Sequence, residues 1–355
     1  MNLYAVFIEE GLKLRNRKGV LCYINPNSLL MNESYTKVRK MLVDNIEFII
    51  KLPDSIFEQA IVETIIILDK NNYRCNNVHG IVYKNDDKFD MNNISFSNFE
   101  RNAFAEDEEC RFNIFSKPHY AAILKKIKEG SKELSCYVET SLGITPYDKY
   151  KGHDEKTIKE RKFHSTYKVD ETYVPLISGG NIGKYHISDT VDEYLKYGEW
   201  LGAPRERRFF EGTNIVVRQI LSGIDLGIVA GFSDKPQYFT QIGFSLIDKN
   251  NDIDELKVIL AILNSKMMTF YHKNVFLDTE KIVYPKILIA NTKKFPIKLP
   301  IYNADIVNLV NEVLERKNRN PFDDIHDLEA EIDKMIYNIY GLSEEDIKII
   351  EDSFN

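Results

Sequence analysis

Residues 19–30 read Gly-Val-Leu-Cys-Tyr-Ile-Asn-Pro-Asn-Ser-Leu-Leu, residues 48–52 read Phe-Ile-Ile-Lys-Leu, and residues 62–68 read Val-Glu-Thr-Ile-Ile-Ile-Leu. Residues 21–24 and 48–52 are short apolar runs, and each run stops at a breaker, Asn25-Pro26 or Pro53-Asp54. Runs of this kind are typical of strands that are buried on both faces of a sheet.

The segment between these two predicted strands has the spacing of a helix, because apolar residues recur at helical intervals from Tyr35 to Leu42. Strand, helix and strand within about 30 residues form a crossover unit, so the two strands should run parallel. Residues 61–68 follow after a short loop around Phe57, which favours an antiparallel return strand. The pattern predicts the end of a doubly wound α/β sheet.

The charge of the chain is unevenly distributed. The net charge is −7, but residues 301–355 contain 14 acidic and 5 basic residues, so the rest of the chain has a small positive excess. Residues 256–298 contain eight lysines and two acidic residues. An acidic tail on a body with a basic segment is compatible with a DNA-facing groove.

The composition, with 43% apolar and 28% charged residues among 355, indicates an ordinary globular protein of two or three domains. We expect it to be cytoplasmic, because no apolar run approaches the ~18 residues of a membrane span and the first residues resemble no signal peptide. Four separated cysteines and seven scattered histidines have no metal-ligand spacing, so no metal site is expected.

The pattern changes near residue 134 to short strands and frequent glycines, which predicts a β-rich domain after a boundary between residues 116 and 135. Residues 256–271 predict one helix. Two amphipathic stretches at 306–314 and 328–339 predict a C-terminal helical hairpin ended by Gly341, with Ser343 opening a third helix. Such a hairpin usually packs on its own domain, and a coiled-coil contact to another subunit is the alternative.

The N-terminal segments at residues 2–10, 19–30 and 52–64 resemble TaqI-type adenine-specific DNA methyltransferases, a group that includes the methylating part of fused type II restriction-modification enzymes. The resemblance implies that this region corresponds to the last three strands of the seven-stranded sheet of that family. The cofactor strand and the catalytic Asn-Pro-Pro-Tyr of the family precede those strands, and neither occurs in this sequence. The resemblance therefore implies no catalytic residue and no cofactor on this chain, with S-adenosylmethionine belonging to the intact enzyme.

Four later segments resemble the target-recognition domain of the same family, at residues 173–187, 214–219, 260–266 and 294–297. The implied organisation is a methyltransferase remnant at 1–130, a target-recognition domain at 131–300 and C-terminal helices at 301–355. The expected fold class is α/β plus α+β, with a partial doubly wound methyltransferase sheet, a β-rich domain and a helical hairpin.

Polar and cationic side chains in the second predicted domain are the candidates for DNA contact. The candidates are Lys184, Arg205, Arg207, Arg208, Arg218, Gln219 and Lys273. Cations of this kind contact phosphates, and Arg218-Gln219 has side chains able to read purine edges. Taken alone, a segment such as 203–208 is more often a solvated loop than a DNA-binding site. The resemblance makes these two interpretations equally favoured.

Phe57 is the candidate for contact with the target base. An enzyme that methylates adenine extrudes the base from the duplex, and the resemblance implies that Phe57 matches the aromatic residue that stacks on it. The pattern alone favours a core residue at this position. Pro26, Asn27 and Ser28 would border the same pocket, because open sheets place sites at the carboxyl ends of their strands.

The resemblance implies target recognition as the C-terminal part of a site-specific adenine DNA methyltransferase, inactive alone. Double-stranded DNA and either an N-terminal methyltransferase half or a dimer mate are the implied partners. One alternative is a free-standing DNA-binding specificity subunit that docks on a separate methylating chain. Another is a degenerate protein with no DNA role, whose truncated sheet is capped by self-association.

Overall fold

Residues 3–54, 56–57, 62–72, 75–83, 94–191, 193–220, 227–276 and 286–354 are described by the structure, a computed structural model. They divide into two units, one within Met1–Ala122 and Asn274–Glu280, the other within Ile123–Lys273 and Lys281–Asn355. The C-terminal helices belong to the second unit. The domain limits at 130 and 300 stay predictions.

The first unit is built on a five-stranded mixed sheet. Its helices and strands are α1 (Leu3–Leu14), β1 (Val20–Pro26), α2 (Ser28–Met31), α3 (Thr36–Leu42), β2 (Ile46–Lys51), β3 (Thr64–Lys70), β4 (Asn77–Val82), β5 (Ser97–Glu100) and α4 (Arg101–Ala105).

The strand order in this sheet is β1-β3-β2-β4-β5. β3 runs antiparallel to both β1 and β2, so the predicted antiparallel return is confirmed. β1 and β2 therefore point the same way, as predicted, although β3 lies between them. Pro26 faces Thr64 across the β1–β3 ladder, and the Leu52 N–H donates to the Thr64 carbonyl at 2.9 Å. The carboxyl ends of β1 and β2 thus meet at the start of β3.

The prediction that the first strand is buried on both faces is wrong. Leu21 and Asn25 are buried in β1, whereas Val20 and Ile24 are 50% and 54% exposed. The covered face packs on α1, where a side chain at Gly11 would collide with Leu21. The opposite face meets no such helix among the described residues, so an apolar run that reads as a central strand is half solvated.

The second unit contains the remaining elements. They are α5 (Ala121–Lys128), β6 (Lys132–Glu133), β7 (Val138–Leu142), α6 (Glu155–Lys159), β8 (His164–Ser165), β9 (Tyr173–Leu176), β10 (Glu193–Lys196), α7 (Arg208–Glu211), β11 (Asn214–Arg218), β12 (Ala230–Ser233), β13 (Gly243–Asp248), α8 (Ile253–Asn264), α9 (Lys266–Val275), α10 (Ile289–Thr292), β14 (Pro296–Ile297), α11 (Ala304–Arg319), α12 (His326–Ile339) and α13 (Glu344–Asp352).

The sheets of the second unit are antiparallel, in agreement with the predicted β-rich region. Four strands have the order β12-β11-β13-β7, three have the order β8-β10-β9, and β14 pairs with β6. β11 reads Asn-Ile-Val-Val-Arg, and its first four residues are buried. The ring of Phe210 stacks on that of Tyr238, and both pack with Val216 in the core.

The helix predicted at residues 256–271 is two helices, because the backbone is extended at Ser265 between α8 and α9. The Asn264 side chain bonds to the backbone of Ala230, and the Asp333 carboxylate accepts from the N–H of Lys266 at 3.0 Å. These contacts stabilise the break. The C-terminal helices are confirmed, with Gly341 in the left-handed region at φ 67° and Ser343 capping α13.

Candidate nucleic-acid interface

One end of the four-stranded sheet carries Arg218 and Gln219. Arg218 is the last residue of β11 and faces Gly243 of β13 across the ladder. The N–H of Gln219 donates to the Ile242 carbonyl at 2.8 Å, and its own carbonyl accepts from Ile287 at 2.9 Å. The two side chains that the sequence singled out for base reading therefore project from backbone held on both sides.

Arg205 reaches the same sheet end through a paired segment. Gly143 follows β7 and donates its N–H to the Gly243 carbonyl at 3.2 Å. The Arg205 guanidinium Nε lies 3.5 Å from the Gly143 carbonyl oxygen, at the limit of a hydrogen bond. Arg205 has a left-handed backbone at φ 66°, held by the Tyr197 hydroxyl, which donates to its carbonyl at 2.7 Å. Such a conformation costs about 1 kcal/mol or more in a non-glycine residue and is often found at functional sites.

Arg207 and Arg208 do not join this group, because carboxylates engage both guanidinium groups. Arg208 forms ion pairs with Glu139 at 2.6 Å and with Glu206 at 2.8 Å. Arg207 forms an ion pair with Glu211 at 2.7 Å and lies over the ring of Tyr197.

The pKa values of two carboxyl groups reflect these contacts. Hydrogen bonds from Tyr238 and then Arg207 hold the pKa of Glu211 below its ordinary value, although partial burial opposes them. The hydrogen bond from Arg208 lowers the pKa of Glu139. Both carboxyl groups therefore stay ionised near neutral pH, and Arg207 and Arg208 are largely neutralised locally.

Lys184 and Lys273 contact the C-terminal part of the chain. Lys184 forms an ion pair with Glu329 of α12 at 3.1 Å. The Lys273 ammonium lies 4.9 Å from the ring centroid of Phe354, a cation–π contact. Lys184 thus contacts a C-terminal helix, and Lys273 contacts a residue that follows α13.

Gln241, which the sequence pattern did not single out, is exposed beside the start of β13. Its side-chain amide donates to the Thr145 hydroxyl at 2.8 Å. This contact brings a further side chain with donor and acceptor groups to the end that carries Arg205 and Arg218. A polar residue just before a buried strand was the only signal in the sequence.

In the first unit, the residues predicted to border a base pocket lie at the carboxyl end of β1. Asn27 is buried, its N–H donates to the Glu63 carbonyl at 2.9 Å, and its amide lies 3.2 Å from the Glu63 carboxylate. Ser28 is exposed and opens α2. Phe57 is 42% exposed, which excludes the interpretation of a buried core residue. Its stacking role stays a prediction.

No helix among the described residues is long and apolar enough to cross a membrane. The same residues contain no group of three or more His, Cys, Asp or Glu side chains placed to hold a metal ion.

Two family models match this chain. The TaqI-like C-terminal specificity domain matches residues 174–297, and the Eco57I restriction-modification methylase matches residues 1–57. Residues 174–297 are a TaqI-like specificity domain. The specificity domain contains all seven side chains proposed for DNA contact, and Phe57 is the last residue of the methylase segment.

Solved structures of restriction-modification enzymes are similar to the whole chain. The type IIL enzyme MmeI, in complex with DNA, matches with a TM-score of 0.54 at 10% identity, over 98% of this chain and 50% of MmeI. The type IIG endonuclease BpuSI matches with a TM-score of 0.37 at 10% identity, over 96% of this chain and 49% of BpuSI. The chain thus spans about half the length of these enzymes. The MmeI match extends the likeness in fold beyond the specificity domain.

Proposed function

We propose that this chain reads the DNA target of an adenine-specific DNA methyltransferase. The observation that carries the proposal is the specificity domain, which holds Arg205, Arg218 and Gln219 at one end of its central sheet. Guanidinium groups pair with guanine edges and amides with adenine edges, whereas backbone phosphates attract any cation. Arg218 and Gln219 are the proposed base readers, and Arg205 is a proposed phosphate contact.

The first test is DNA binding by the full chain as a function of salt. Replacing Arg205, Arg207 and Arg208 together with Glu should weaken binding to every sequence. Arg205→Glu alone should account for more of that loss than Arg207→Glu with Arg208→Glu, because the latter two guanidinium groups are already paired with carboxylates. Unchanged retention of the triple variant on a DNA column contradicts the phosphate-contact role.

Arg218 and Gln219 require a different readout. Arg218→Ala or Gln219→Ala should relax sequence preference at one position, by about 1–3 kcal/mol for each lost bidentate contact. Binding to duplexes of random sequence should change little. Equal losses on all duplexes would assign these side chains to the backbone rather than to bases.

The first unit is proposed to be the end of a methyltransferase sheet, with β1, β2 and β3 as its last three strands. The methylase match at residues 1–57 and the antiparallel β3 between two strands of one direction support this assignment. The other strands of that sheet would come from a methylating partner, either the other half of the enzyme or a separate chain that uses this one as a specificity subunit.

The outer edge of β1 is the proposed docking site for that partner. No described strand other than β3 pairs with β1, and Val20 and Ile24 on the uncovered face of β1 are half exposed. On α1, Leu3, Phe7 and Leu14 are 69%, 61% and 85% exposed. Unpaired strand edges with apolar surroundings favour strand addition. If the chain stays monomeric and binds no methylating partner, the docking proposal is contradicted, whether the partner is the other half of the enzyme or a separate chain.

S-adenosylmethionine is proposed to bind the partner and not this chain. Calorimetry with the isolated chain should show no stoichiometric binding. Micromolar binding to this chain alone contradicts the assignment of the cofactor site to the partner.

Phe57 is proposed to stack on the extruded adenine when the methylating partner is present. Aromatic stacking contributes about 1–3 kcal/mol per base, so Phe57→Ala should lower methylation roughly 10- to 100-fold. Phe57→Tyr and Phe57→Trp should keep most activity. The melting temperature should change little, because Phe57 is 42% exposed. Unchanged 2-aminopurine fluorescence at the target position in the alanine variant would remove Phe57 from the base pocket.

A further inference from the structure

A two-stranded ribbon leaves the end of the sheet that carries Arg205. One side is residues 143–148 and the other is residues 200–205. Thr145 and Ala203 exchange backbone hydrogen bonds at 2.9 and 2.8 Å, and Gly202 donates to the Pro146 carbonyl at 3.2 Å. Because the two sides are antiparallel, Arg205 lies at the base of the ribbon and residues 149–152 form its tip.

The tip is held rigidly by aromatic side chains beneath it. The rings of Tyr147 and Phe163 stack with centroids 5.3 Å apart at 10°, and the His153 ring packs edge-on against both. Nδ1 of His153 accepts from the Asp148 N–H at 2.9 Å, and Nε2 lies 2.8 Å from the Trp200 carbonyl oxygen. The Asp148 carboxylate caps the 3-10 turn by accepting from the Tyr150 N–H at 2.8 Å.

The rigid turn presents its largest side chain to solvent. Tyr150 is 100% exposed, and Lys149 and Lys151 beside it are exposed as well. Burial of an aromatic ring contributes roughly 1.5–3 kcal/mol to stability, and the fully exposed ring of Tyr150 makes no such contribution within this chain. A pre-organised loop that displays a ring between two cations is suited to a ligand with anionic and apolar groups.

The charge of this region differs from that of the rest of the chain. Residues 149–168 contain seven basic and three acidic residues, within a chain whose net charge is −7. Lys151 has no ion-pair partner among the described residues, and Lys149 lies 3.9 Å from the Glu155 carboxylate. Lys156 and Lys159 of α6 lie at the same distance, 3.9 Å, from the carboxylates of Glu160 and Glu155. Among these cations of the tip and of α6, Lys151 is therefore the one without a carboxylate partner among the described residues.

We propose that the turn 149–152 is a second DNA contact, which lies outside the residues matched by the specificity-domain model. Lys149 and Lys151 bind backbone phosphates, and the ring of Tyr150 packs against the sugars between them. This inference rests on the proposed function, because it assumes that duplex DNA lies against the Arg205 end of the sheet. Six extended residues span at most ~20 Å, so the tip contacts the backbone up to ~6 base pairs from the contact of Arg205, at 3.4 Å per base pair on one strand.

The test compares two double variants of the full chain that remove the same charge. Lys149→Ala with Lys151→Ala removes the tip cations, and Lys156→Ala with Lys159→Ala removes two exposed cations of α6, which lie outside the turn. Binding to a fluorescent duplex of random sequence is measured by anisotropy over a range of salt concentrations. The tip variant should lower the salt slope by about 1.8, since each phosphate contact contributes about 0.9. If parent and tip variant bind equally at 1 M salt, a slope difference of about 1.8 makes the variant bind roughly 60-fold more weakly at 0.1 M salt. The α6 variant should change the slope much less.

A second pair tests the ring. Tyr150→Ala should weaken binding about two- to tenfold, as expected for loss of a contact smaller than a stacked base, and Tyr150→Phe should restore it. Tyr167→Ala, which removes another exposed ring, is the control. All these variants should keep the melting temperature of the parent, because the side chains are exposed.

Equal salt slopes for the two double variants overturn the tip contact while the proposed function stands. A parent chain that binds no duplex DNA overturns the proposed function and this inference with it. The two failures are thus distinguished by the parent protein alone.

Discussion

The outer strands β1 and β12 end their sheets in opposite ways. β12 is covered, because its Ala230 carbonyl accepts from the Tyr185 N–H at 2.8 Å and from the Asn264 amide at 2.9 Å, and its Ala230 N–H donates to Asn264 Oδ1 at 2.9 Å. β1 pairs with β3 along all seven residues, and no other described strand pairs with it. Proteins usually cover or pair an edge of this length. β12 is thus covered within its own unit, whereas no described strand pairs with the outer edge of β1.

The largest expected effect separates the buried central strand β11 from the half-exposed outer strand β1. Ile215→Ala in β11, a residue that is 0% exposed, should lower the free energy of unfolding by about 2–5 kcal/mol. Ile24→Ala in β1, where the side chain is 54% exposed, should cost less than about 1 kcal/mol. Denaturant unfolding of the two variants measures both. Similar losses would mean that β1 is buried in solution, for example by self-association.

The next effect is a pH dependence of stability that arises in α12, which contacts the segment covering β12. Lys184, next to Tyr185, pairs with Glu329 of α12, and Asp333 of α12 caps the start of α9. Burial raises the pKa of Asp333 to about 6 from 3.8, although the N–H of Lys266 opposes the shift. The folded state therefore prefers the protonated carboxyl.

The stabilisation that comes from the protonated Asp333 carboxyl is present below about pH 4 and is lost as the pH rises through 6. At about 1.36 kcal/mol per pKa unit, the change reaches roughly 3 kcal/mol. Asp333→Asn keeps an acceptor for the Lys266 N–H and should remove this part of the pH dependence. Stability curves of parent and variant that stay parallel from pH 4 to 7 contradict the assignment.

A smaller effect tests the contacts of Asn264 with Ala230 at the outer edge of β12. Asn264→Ala should leave the Ala230 N–H without its partner and cost about 2 kcal/mol, within the range for a buried unsatisfied donor. Hydrogen exchange at Ala230 should accelerate in this variant relative to the central β11. Equal exchange rates would show that the Tyr185 segment covers the edge alone.

The elements of the fold could be predicted, but the neighbours of each strand could not. The sequences of β1 and β11 both contain short apolar runs, and β1 is half exposed while β11 is buried. Burial depends on what packs against each face, and a local pattern does not contain that information. The helix break at Ser265 was missed for the same reason, because Ala230 and Asp333 supply the groups that stabilise it.

The candidate site shows the same limit at the level of single side chains. Arg205, Arg207 and Arg208 lie within four residues and look equivalent in the sequence. Only the fold brings Glu139 to Arg208 and turns Arg205 towards Gly143. The ribbon tip at Tyr150 was also missed, since its significance comes from pairing with residues about 50 positions later, where Trp200 accepts from His153.

Selection of DNA targets by the full chain measures whether this protein reads a DNA sequence. A pool of duplexes with a randomised segment is bound, recovered and sequenced over several rounds at moderate salt. We expect enrichment of one short motif by the parent chain. Arg218→Ala and Gln219→Ala should each lose preference at single positions of that motif. The double variant Arg207→Ala with Arg208→Ala should keep the preference of the parent. Recovery of the random pool without enrichment, or a motif that survives the loss of both Arg218 and Gln219, would contradict the proposed target reading.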